Sequence, residues 1–293
     1  MGWDFMSSRS LQSLLEGRRF GLVLSAGFFG FYGHAGFLKG LAGAGLQPSA
    51  YAGTSAGALV AAFAAAGMSI PEIEETTLQR KRHEFWDPDP IGAVRQTRGF
   101  GLTGMLKGER LRTLLQSTLP VHTFEQLEHP LVVVASNITQ GVPTAFTSGP
   151  LIPPLHASSA YPGLFRAVKL GGDQYWDGGI MDKAPVMALA ESEAGADLDA
   201  ILVHYLPSRT RADLHGPMAY ARGLNSAVLG LRRDHFRLQL EVLKARGVKV
   251  YTVISVLPPV SPSSLEAGFA ALDQARLSAS RALSRPPEAF ELL

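Results

Sequence analysis

The stretch Gly53-Thr54-Ser55-Ala56-Gly57 lies between the strand-like Leu46–Ala52 and the helix-like Ala58–Met68. A strand that turns sharply into a helix commits this part of the chain to an α/β layout. A serine with glycines two residues before and after it, at such a turn, is the nucleophile-elbow pattern. The reason for the glycines is steric. The serine sits in a strained backbone conformation, and side chains at Gly53 and Gly57 would collide with the neighbouring strand and helix. The same turn puts the backbone N–H of Ala56 at a helix N-terminus, facing any oxyanion that forms beside Ser55. The plain alternative is a strand–loop–helix turn in which Ser55 only caps the helix.

Upstream, Phe20–Leu38 contains no Asp, Glu, Lys or Arg and follows Arg18-Arg19, as a signal anchor would. Gly21, Gly27, Gly30, Gly33, Gly36 and His34 argue against an uninterrupted apolar helix. They favour a buried strand (Phe20–Ser25), a glycine-rich turn and a helix (Ala35–Ala44) closed at Gly45. The expectation is a soluble, cytoplasmic protein without a cleaved signal, peripheral to a membrane at most. With Pro48–Ala52 and the helix after Ser55, this makes a βαβα unit with parallel strands and a right-handed crossover.

Further along, a surface helix is expected at Pro71–Arg82, and an irregular segment at His83–Gly104, read as a lid or a long surface connection. A helix follows at Glu109–Thr118 and a buried strand at Pro130–Ser136. Another strand starts or ends at Ala145–Thr147. Val168–Leu170 and Gln174–Trp176 read as hairpin arms around Gly171-Gly172-Asp173. Then come a helix (Pro185–Ala194), a strand (Ala200–Tyr205), a loop (Pro207–Pro217), a long amphipathic helix (Met218–Arg246), a strand (Val248–Val256) and a last helix (Ser263–Ser284). The economical fold is a three-layer α/β domain with a predominantly parallel sheet and helices on both faces. Residues 1–19 form a lead-in and residues 20–293 a single domain.

Composition narrows the chemistry. With 293 residues, 46% of them hydrophobic and 18% charged, the chain can bury a solid core. A net charge of +2 gives no case for nucleic-acid binding. The absence of cysteine removes disulfides, thiolate metal sites and thiol nucleophiles. Nothing in the sequence sets an oligomeric state.

A serine hydroxyl needs a base to take its proton as it attacks. His83, His122, His129, His156, His204, His215 and His235 follow Ser55, but none sits in a motif that commends it. Asp177 is the stronger partner, because it ends the aromatic strand Tyr175-Trp176 and precedes Gly178 and Gly179, which let a carboxylate approach another backbone. By itself Asp-Gly-Gly also reads as an ordinary turn. His34 reads as a hydrogen-bonded packing residue, and Asn137 as a turn residue that satisfies local backbone. The glycine-rich turn lacks both Gly-x-Gly-x-x-Gly and a following Gly-Lys-Ser/Thr, so nucleotide binding is disfavoured.

Taken together, the early glycine-rich turn, Gly-Thr-Ser-Ala-Gly and the later Asp-Gly-Gly resemble the patatin-like acyl hydrolases. The likeness runs from about Phe20 to Tyr205. It includes, in family order, Leu38-Lys39-Gly40-Leu41, Leu106-Lys107-Gly108-Glu109, Thr123-Phe124-Glu125-Gln126-Leu127 and Ala157-Ser158-Ser159-Ala160-Tyr161-Pro162. It implies a serine hydrolase of lipid acyl esters, of phospholipase A or lysophospholipase type. Ser55 would be the nucleophile and Asp177 the base, with no metal and no cofactor. Gly27, Phe28 and Ala56 would supply the oxyanion hole, and Gly53, Gly57, Gly178 and Gly179 would shape the two motifs. The partners implied are a lipid or acyl-ester substrate and a transient membrane surface, met by the arginines and Lys244 of the long helix or left to solvent.

The chain departs from the family in the first motif, usually Gly-Gly-Gly-x-Arg/Lys-Gly. Here Ala26-Gly27-Phe28-Phe29-Gly30-Phe31 keeps the middle glycine, has Gly30 at the basic position and Phe31 at the last glycine. That demands a backbone at Phe28 better suited to glycine. Phe28, Phe29, Phe31 and Tyr32 either line an acyl tunnel or pack the core. Two other readings stand beside the dyad. One is a non-catalytic lipid-binding or regulatory member; the other is an α/β-hydrolase esterase using Ser55, Asp177 and either His204 or His215.

Overall fold

The computed structural model describes residues 9–79, 82–89, 104–208, 215–216, 219–260 and 266–287. A short helix α1 (Leu11–Leu15) leads into β1 (Phe20–Leu24), α2 (Phe31–Gly43), β2 (Ala50–Thr54) and α3 (Ala56–Ala65). After α4 (Ile70–Leu78) and α5 (Arg82–Phe85) come β3 (Gly104–Leu106), α6 (Glu109–Thr118), β4 (Leu131–Asn137) and β5 (Val142–Phe146). Next are α7 (Ile152–Ser158), β6 (Gly163–Phe165), β7 (Val168–Leu170), β8 (Asp173–Trp176) and α8 (Val186–Ala190). The chain closes with β9 (Ala200–Tyr205), α9 (Ala219–Ala245), β10 (Val250–Ile254) and α10 (Ala267–Leu283).

The main sheet has the order β10-β9-β1-β2-β4-β8-β7, with β5 on the other edge of β4. Its five strands β10, β9, β1, β2 and β4 are parallel, whereas β5, β7 and β8 run antiparallel to their neighbours. The mixed α/β fold with a mostly parallel centre is therefore as expected. Burial on both faces explains the near-continuous apolar strands. In β4, Leu131 and Val133 join one core while Val132 and Val134 join the other. The first core also takes residues of α2, α3, α6, α7 and α10. The second takes Val186 and Leu189 of α8 and Phe236 and Leu243 of α9. Leu11 and Leu15 of α1 are buried in the first core, so this part of the lead-in packs on the fold.

Several elements differ from their expected limits. β2 extends to Thr54, two residues further, and delivers Ser55 at its very end. α2 begins at Phe31, so the glycine turn is only a few residues long. The helix expected over Pro185–Ala194 stops at Ala190 and gives way to a 3₁₀ turn at Glu193–Asp197. Three elements were not read from the sequence: α5, which falls on the start of the segment expected to be irregular, α7, which carries Pro153 and Pro154 in its first turn, and the small two-stranded sheet β3–β6. Of the segment expected to be irregular, 90–103 lies outside the described residues, as do 209–214 and 217 of the Pro207–Pro217 loop. No helix among the described residues is long and apolar enough to cross a membrane.

Gly36 and Gly40 of α2 serve packing. A Cβ on Gly36 would run into the Leu272 carbonyl of α10, and one on Gly40 would meet Ala279 Cβ at 2.5 Å. Small residues there let α2 and α10 approach closely.

Candidate active site

The sheet places the site through a handover along one edge of β4. β2 pairs with β4 up to Thr54 opposite Val134, and then turns away at Ser55. β8 takes the same edge from the opposite direction, with Trp176 opposite Ser136. β5 occupies the other edge, opposite Val133–Asn137. The C-terminal ends of β2 and β8 thus meet head to head, and the residue following each is Ser55 and Asp177. A parallel and an antiparallel strand sharing one edge are what bring together two residues 122 positions apart.

Ser55 Oγ donates to Asp177 Oδ2 at 2.5 Å. Ser55 has φ 57° and ψ −126°, a positive-φ conformation that costs a non-glycine residue about 1–3 kcal/mol. The flanking glycines make it possible. A Cβ on Gly53 would lie 2.6 Å from Ala58 N, and one on Gly57 would overlap the Leu24 carbonyl of β1. Ser158 of α7 pins the turn: its Oγ accepts from Ser55 N–H at 2.9 Å and donates to Val134 O at 2.6 Å.

Asp177 is only 4% exposed. Its Oδ1 accepts from Gly179 N–H at 2.8 Å, while Ser136 Oγ donates to its carbonyl oxygen at 2.9 Å. Gly178 is obligatory, because a Cβ would strike the Val134 carbonyl. Burial pushes the Asp177 carboxyl up to about 6, against the opposing pull of the Ser55 and Gly179 hydrogen bonds and of Arg232. A carboxylate so adjusted is a better proton acceptor near neutral pH than an ordinary aspartate.

Ser55, Asp177, Ala56, Gly27 and Phe28 all line one cavity of 610 Å³. Much of its wall is apolar, including Leu59 and Phe63 of α3, Leu111 and Leu115 of α6, and Phe165. No acceptor among the described residues takes the N–H of Gly27, Phe28 or Ala56. Ala26 anchors the loop by donating its N–H to the Lys183 carbonyl at 2.7 Å. The unusual backbone falls on Phe29, with φ 51°, one residue later than the expected Phe28. Phe28, Phe29 and Phe31 line the cavity, whereas Tyr32 is fully buried in a small cluster with Val260 and Ala271.

The histidines stand apart. His204 Nδ1 meets His34 Nδ1 at 2.8 Å, and its Nε2 meets Ser255 Oγ at 2.9 Å. His34 Nε2 must donate to the Ser25 carbonyl at 2.8 Å. Its Nδ1 is then the acceptor, His204 Nδ1 the donor and His204 Nε2 the acceptor of the Ser255 hydroxyl proton. Both rings are neutral and committed, and burial pulls both well down, His34 to about 4. The backbone carbonyl of His215 accepts from Arg222. Asn137 does bond local backbone, accepting from Gln140 N–H at 3.0 Å, and its amide also donates to Asp173 and Tyr175.

Sequence reasoning missed Ser136 and Ser158 as supports and Arg232 and Lys183 as cavity cations. Ser158 lay inside a landmark motif. The other three carried no local signal, since only tertiary contacts give them a role. At Gly30, where the family's basic residue would stand, a Cβ would meet Leu206 at 2.7 Å, and the cation beside the dyad comes from α9 instead.

Comparison with known proteins gives the family and the fold. An uncharacterized NTE family protein of Mycobacterium bovis is 29% identical over 174 residues, covering 59% of this chain and 46% of that protein. Another from Mycobacterium tuberculosis is 25% identical over 186 residues, covering 64% of this chain and 30% of its own length. The chain spans less than half the length of these curated relatives. The crystal structure of VipD from Legionella pneumophila superposes with a TM-score of 0.51 at 14% identity, covering 91% of this chain and 66% of that one, a likeness of fold. The patatin-like phospholipase family model matches residues 22–190, from the middle of β1 through both glycine-flanked motifs to the end of α8. With more than half of its length so matched, the chain belongs to the patatin-like phospholipase family.

Proposed function

We propose that the protein is a serine hydrolase of lipid acyl esters working through Ser55 and Asp177 and an acyl-enzyme intermediate. The observation that carries this reading is the 2.5 Å hydrogen bond from Ser55 Oγ to a buried carboxylate on the wall of a mostly apolar cavity. Family membership supports lipid acyl hydrolysis in general; the dyad and its roles rest on the site.

In the first step Ser55 Oγ attacks the ester carbonyl carbon while Asp177 Oδ2 takes the hydroxyl proton. Negative charge on the carbonyl oxygen is met by the N–H of Ala56 and those of Gly27 and Phe28. Collapse of the tetrahedral intermediate breaks the bond to the alcohol, which leaves with the proton from Asp177. Water then attacks the acyl-serine, giving its proton to Asp177. Breakdown releases the carboxylic acid and returns the proton to Ser55 Oγ. Neither step calls for a metal or an organic cofactor.

A triad through His204 is disfavoured because both nitrogens of that ring are engaged with His34 and Ser255. A purely lipid-binding role leaves the strained Ser55 without purpose. Transient contact with a membrane surface from the cytoplasmic side accompanies the proposed substrate. On α9, Leu224, Leu231 and Leu238 are exposed at heptad spacing and suit such contact. The test is fatty-acid release from phospholipid micelles and short acyl esters by wild type and Asp177→Asn. Activity that collapses in the variant supports the dyad, and activity that survives removes Asp177 from the mechanism. Absence of activity in a folded wild type favours the lipid-binding alternative.

A further inference from the structure

A second hydroxyl on the wall of the same cavity also meets a basic group. Ser208, shortly after the end of β9, is half-buried and lines the cavity, and Lys183 Nζ lies 2.6 Å from its Oγ. Arg232 Nη2 of α9 donates to the same oxygen at 2.6 Å. Arg232 Nη1 donates to Gly179 O at 2.6 Å, so the guanidinium is held from its other side as well. The chemistry of Ser55 and Asp177 uses neither Ser208 nor Lys183.

Lysine and arginine are ordinarily both cations, and two cations on one hydroxyl oxygen repel each other. The protein offers Lys183, only 1% exposed, nothing to offset this. The titratable groups that act on it are Arg232, Tyr205 of β9, whose ring lies 4.7 Å from Nζ, and His34 of α2. Arg232 is a cation, burial pushes Tyr205 up to about 12, and burial pulls His34 down to about 4. None of the three is an anion near neutral pH. A buried ammonium in such company is costly, and the lysine relieves the cost by giving up its proton. Burial first, and then Arg232, hold it well below the ordinary lysine range. With a neutral amine the three groups form a directed chain. Arg232 Nη2 donates to Ser208 Oγ, and the Ser208 hydroxyl donates to the lone pair on Lys183 Nζ.

We propose that Ser208 is a second acyl-accepting nucleophile of this cavity, with Lys183 as its base. A serine within hydrogen-bond reach of a base, with a third group fixing the pair, is the arrangement of an activated nucleophile. Burial suits the lysine to this work, because only the neutral amine accepts a proton, and the serine it serves faces the cavity. The Arg232 guanidinium favours the negative charge that builds on Ser208 Oγ as the proton leaves. The inference rests on the acyl-hydrolase reading only for the class of electrophile, an acyl ester that enters the cavity. Ser208 Oγ bonds to the carbonyl carbon while its proton passes to Lys183 Nζ and the carbonyl electron pair moves onto oxygen. Return of that pair breaks the bond to the alcohol, which leaves with the proton from Lys183 and leaves Ser208 acylated. Water then attacks the ester so formed, through the same base, and releases the acid.

The test treats the protein with an alkyl fluorophosphonate, from which a reactive serine displaces fluoride, and finds the labelled peptide by mass spectrometry. Wild type should be labelled first at Ser55, whose backbone is strained and whose neighbouring N–H groups are open. Ser55→Ala is expected to be labelled at Ser208, and the added Lys183→Met to slow that labelling about 10²-fold or more. The added Arg232→Gln should slow it less. With Lys183 in place, the labelling rate should rise with pH and level off well below the ordinary lysine value of 10.5. Ser208 left unlabelled in folded Ser55→Ala overturns the proposal, and so does a rate that Lys183→Met leaves unchanged. If Lys183→Met fails to fold, the pH profile decides, and a rate still climbing at pH 10.5 overturns the role of Lys183. p-Nitrophenyl butyrate tests the acyl group itself. A butyryl group on the Ser208 peptide of Ser55→Ala is expected, and labelling by the fluorophosphonate alone would overturn the acyl assignment.

The two readings of the cavity fail separately. Label on Ser55 in wild type and none in Ser55→Ala keeps the dyad and removes Ser208. Label on Ser208 in both proteins, and never on Ser55, removes the dyad nucleophile and keeps Ser208.

Discussion

Two polar pairs lie near the C-terminal ends of strands of the main sheet, a serine with a carboxylate and a pair of histidines, and they differ in how they are held and in what they face. Ser55–Asp177 ends β2 and β8; His34–His204 joins the start of α2 to β9. In the histidine pair every ring nitrogen has a protein partner, and the chain of bonds from Ser25 O through both rings to Ser255 is closed. His204 also stacks on Phe37 with ring centroids 4.0 Å apart. In the serine–aspartate pair, the hydroxyl faces a cavity and the backbone that carries it is strained. The lesson is that the more basic side chain is not the reactive one when its partners are all supplied by the protein: what a polar pair faces and how it is held count as much as which side chains compose it. The histidine, ordinarily the better base, is here a structural bolt.

The sharpest way to break this contrast is to remove the dyad. Ser55→Ala and Asp177→Asn should each reduce ester turnover by about 10³-fold or more while the protein stays folded. His34→Leu with His204→Leu should leave turnover per folded molecule within a few-fold of wild type. Turnover assays on refolded, concentration-matched protein compare the two pairs directly. Loss of chemistry in the double histidine variant would place a histidine in the mechanism.

Stability should respond in the opposite sense. His204→Ala alone strands His34 Nδ1 and the Ser255 hydroxyl and opens a void against Phe37. It should lower unfolding free energy by about 2–4 kcal/mol in urea denaturation. Asp177→Asn should raise stability at pH 7 to 8, because ionising a carboxyl held at about 6 opposes folding there.

The pH dependences also run in opposite directions. Asp177 binds its proton more tightly folded than unfolded, so its contribution to stability falls as pH rises from about 4 to about 6. His34 binds its proton less tightly folded, so its contribution is present above its ordinary value of 6.5 and is lost as pH falls towards about 4. Asp177→Asn should therefore steepen the loss of stability on acidification, and the double leucine variant should flatten it. In the wild type, kcat/KM should rise with pH to a plateau above about 6, as Asp177 becomes the ionised base. Denaturation midpoints from pH 4 to 8 and a pH–rate profile test both signs.

The smallest effect concerns the apolar wall. Phe31→Ala should shift acyl-chain preference by about tenfold, the low end of the roughly 1–3 kcal/mol by which a hydrophobic pocket discriminates one methylene. An unchanged chain-length profile in a folded variant would return Phe31 to core packing.

Much was legible without coordinates. Short apolar runs bounded by glycine and proline located β1, β2, β4 and β9, because a strand buried on both faces must be apolar throughout. Gly53 and Gly57 announced Ser55 because their reason is local: a turn that tight excludes a Cβ whatever surrounds it. Asp177 was legible for a similar reason, in Gly178 and Gly179. The site's supports were not. Nothing near Ser136, Lys183, Ser208 or Arg232 marks them, and their partners lie 24 to 53 positions away. The reason for the glycines inside the expected helix was not legible either, since Gly36 and Gly40 answer to a helix more than 200 residues downstream.

Sequence by itself therefore determined the sheet-forming segments, the strained serine and the aspartate that could serve it, because each is dictated by sterics or burial within a few residues. The tertiary structure alone decided that β2 and β8 share one edge of β4 and meet end to end. It also decided that His34 and His204 bond each other away from that meeting point, and that Arg232 of a distant helix joins it. Those outcomes depend on strand order and helix docking, which are set by the sum of many weak contacts across the whole core and have no signature in any one stretch of chain.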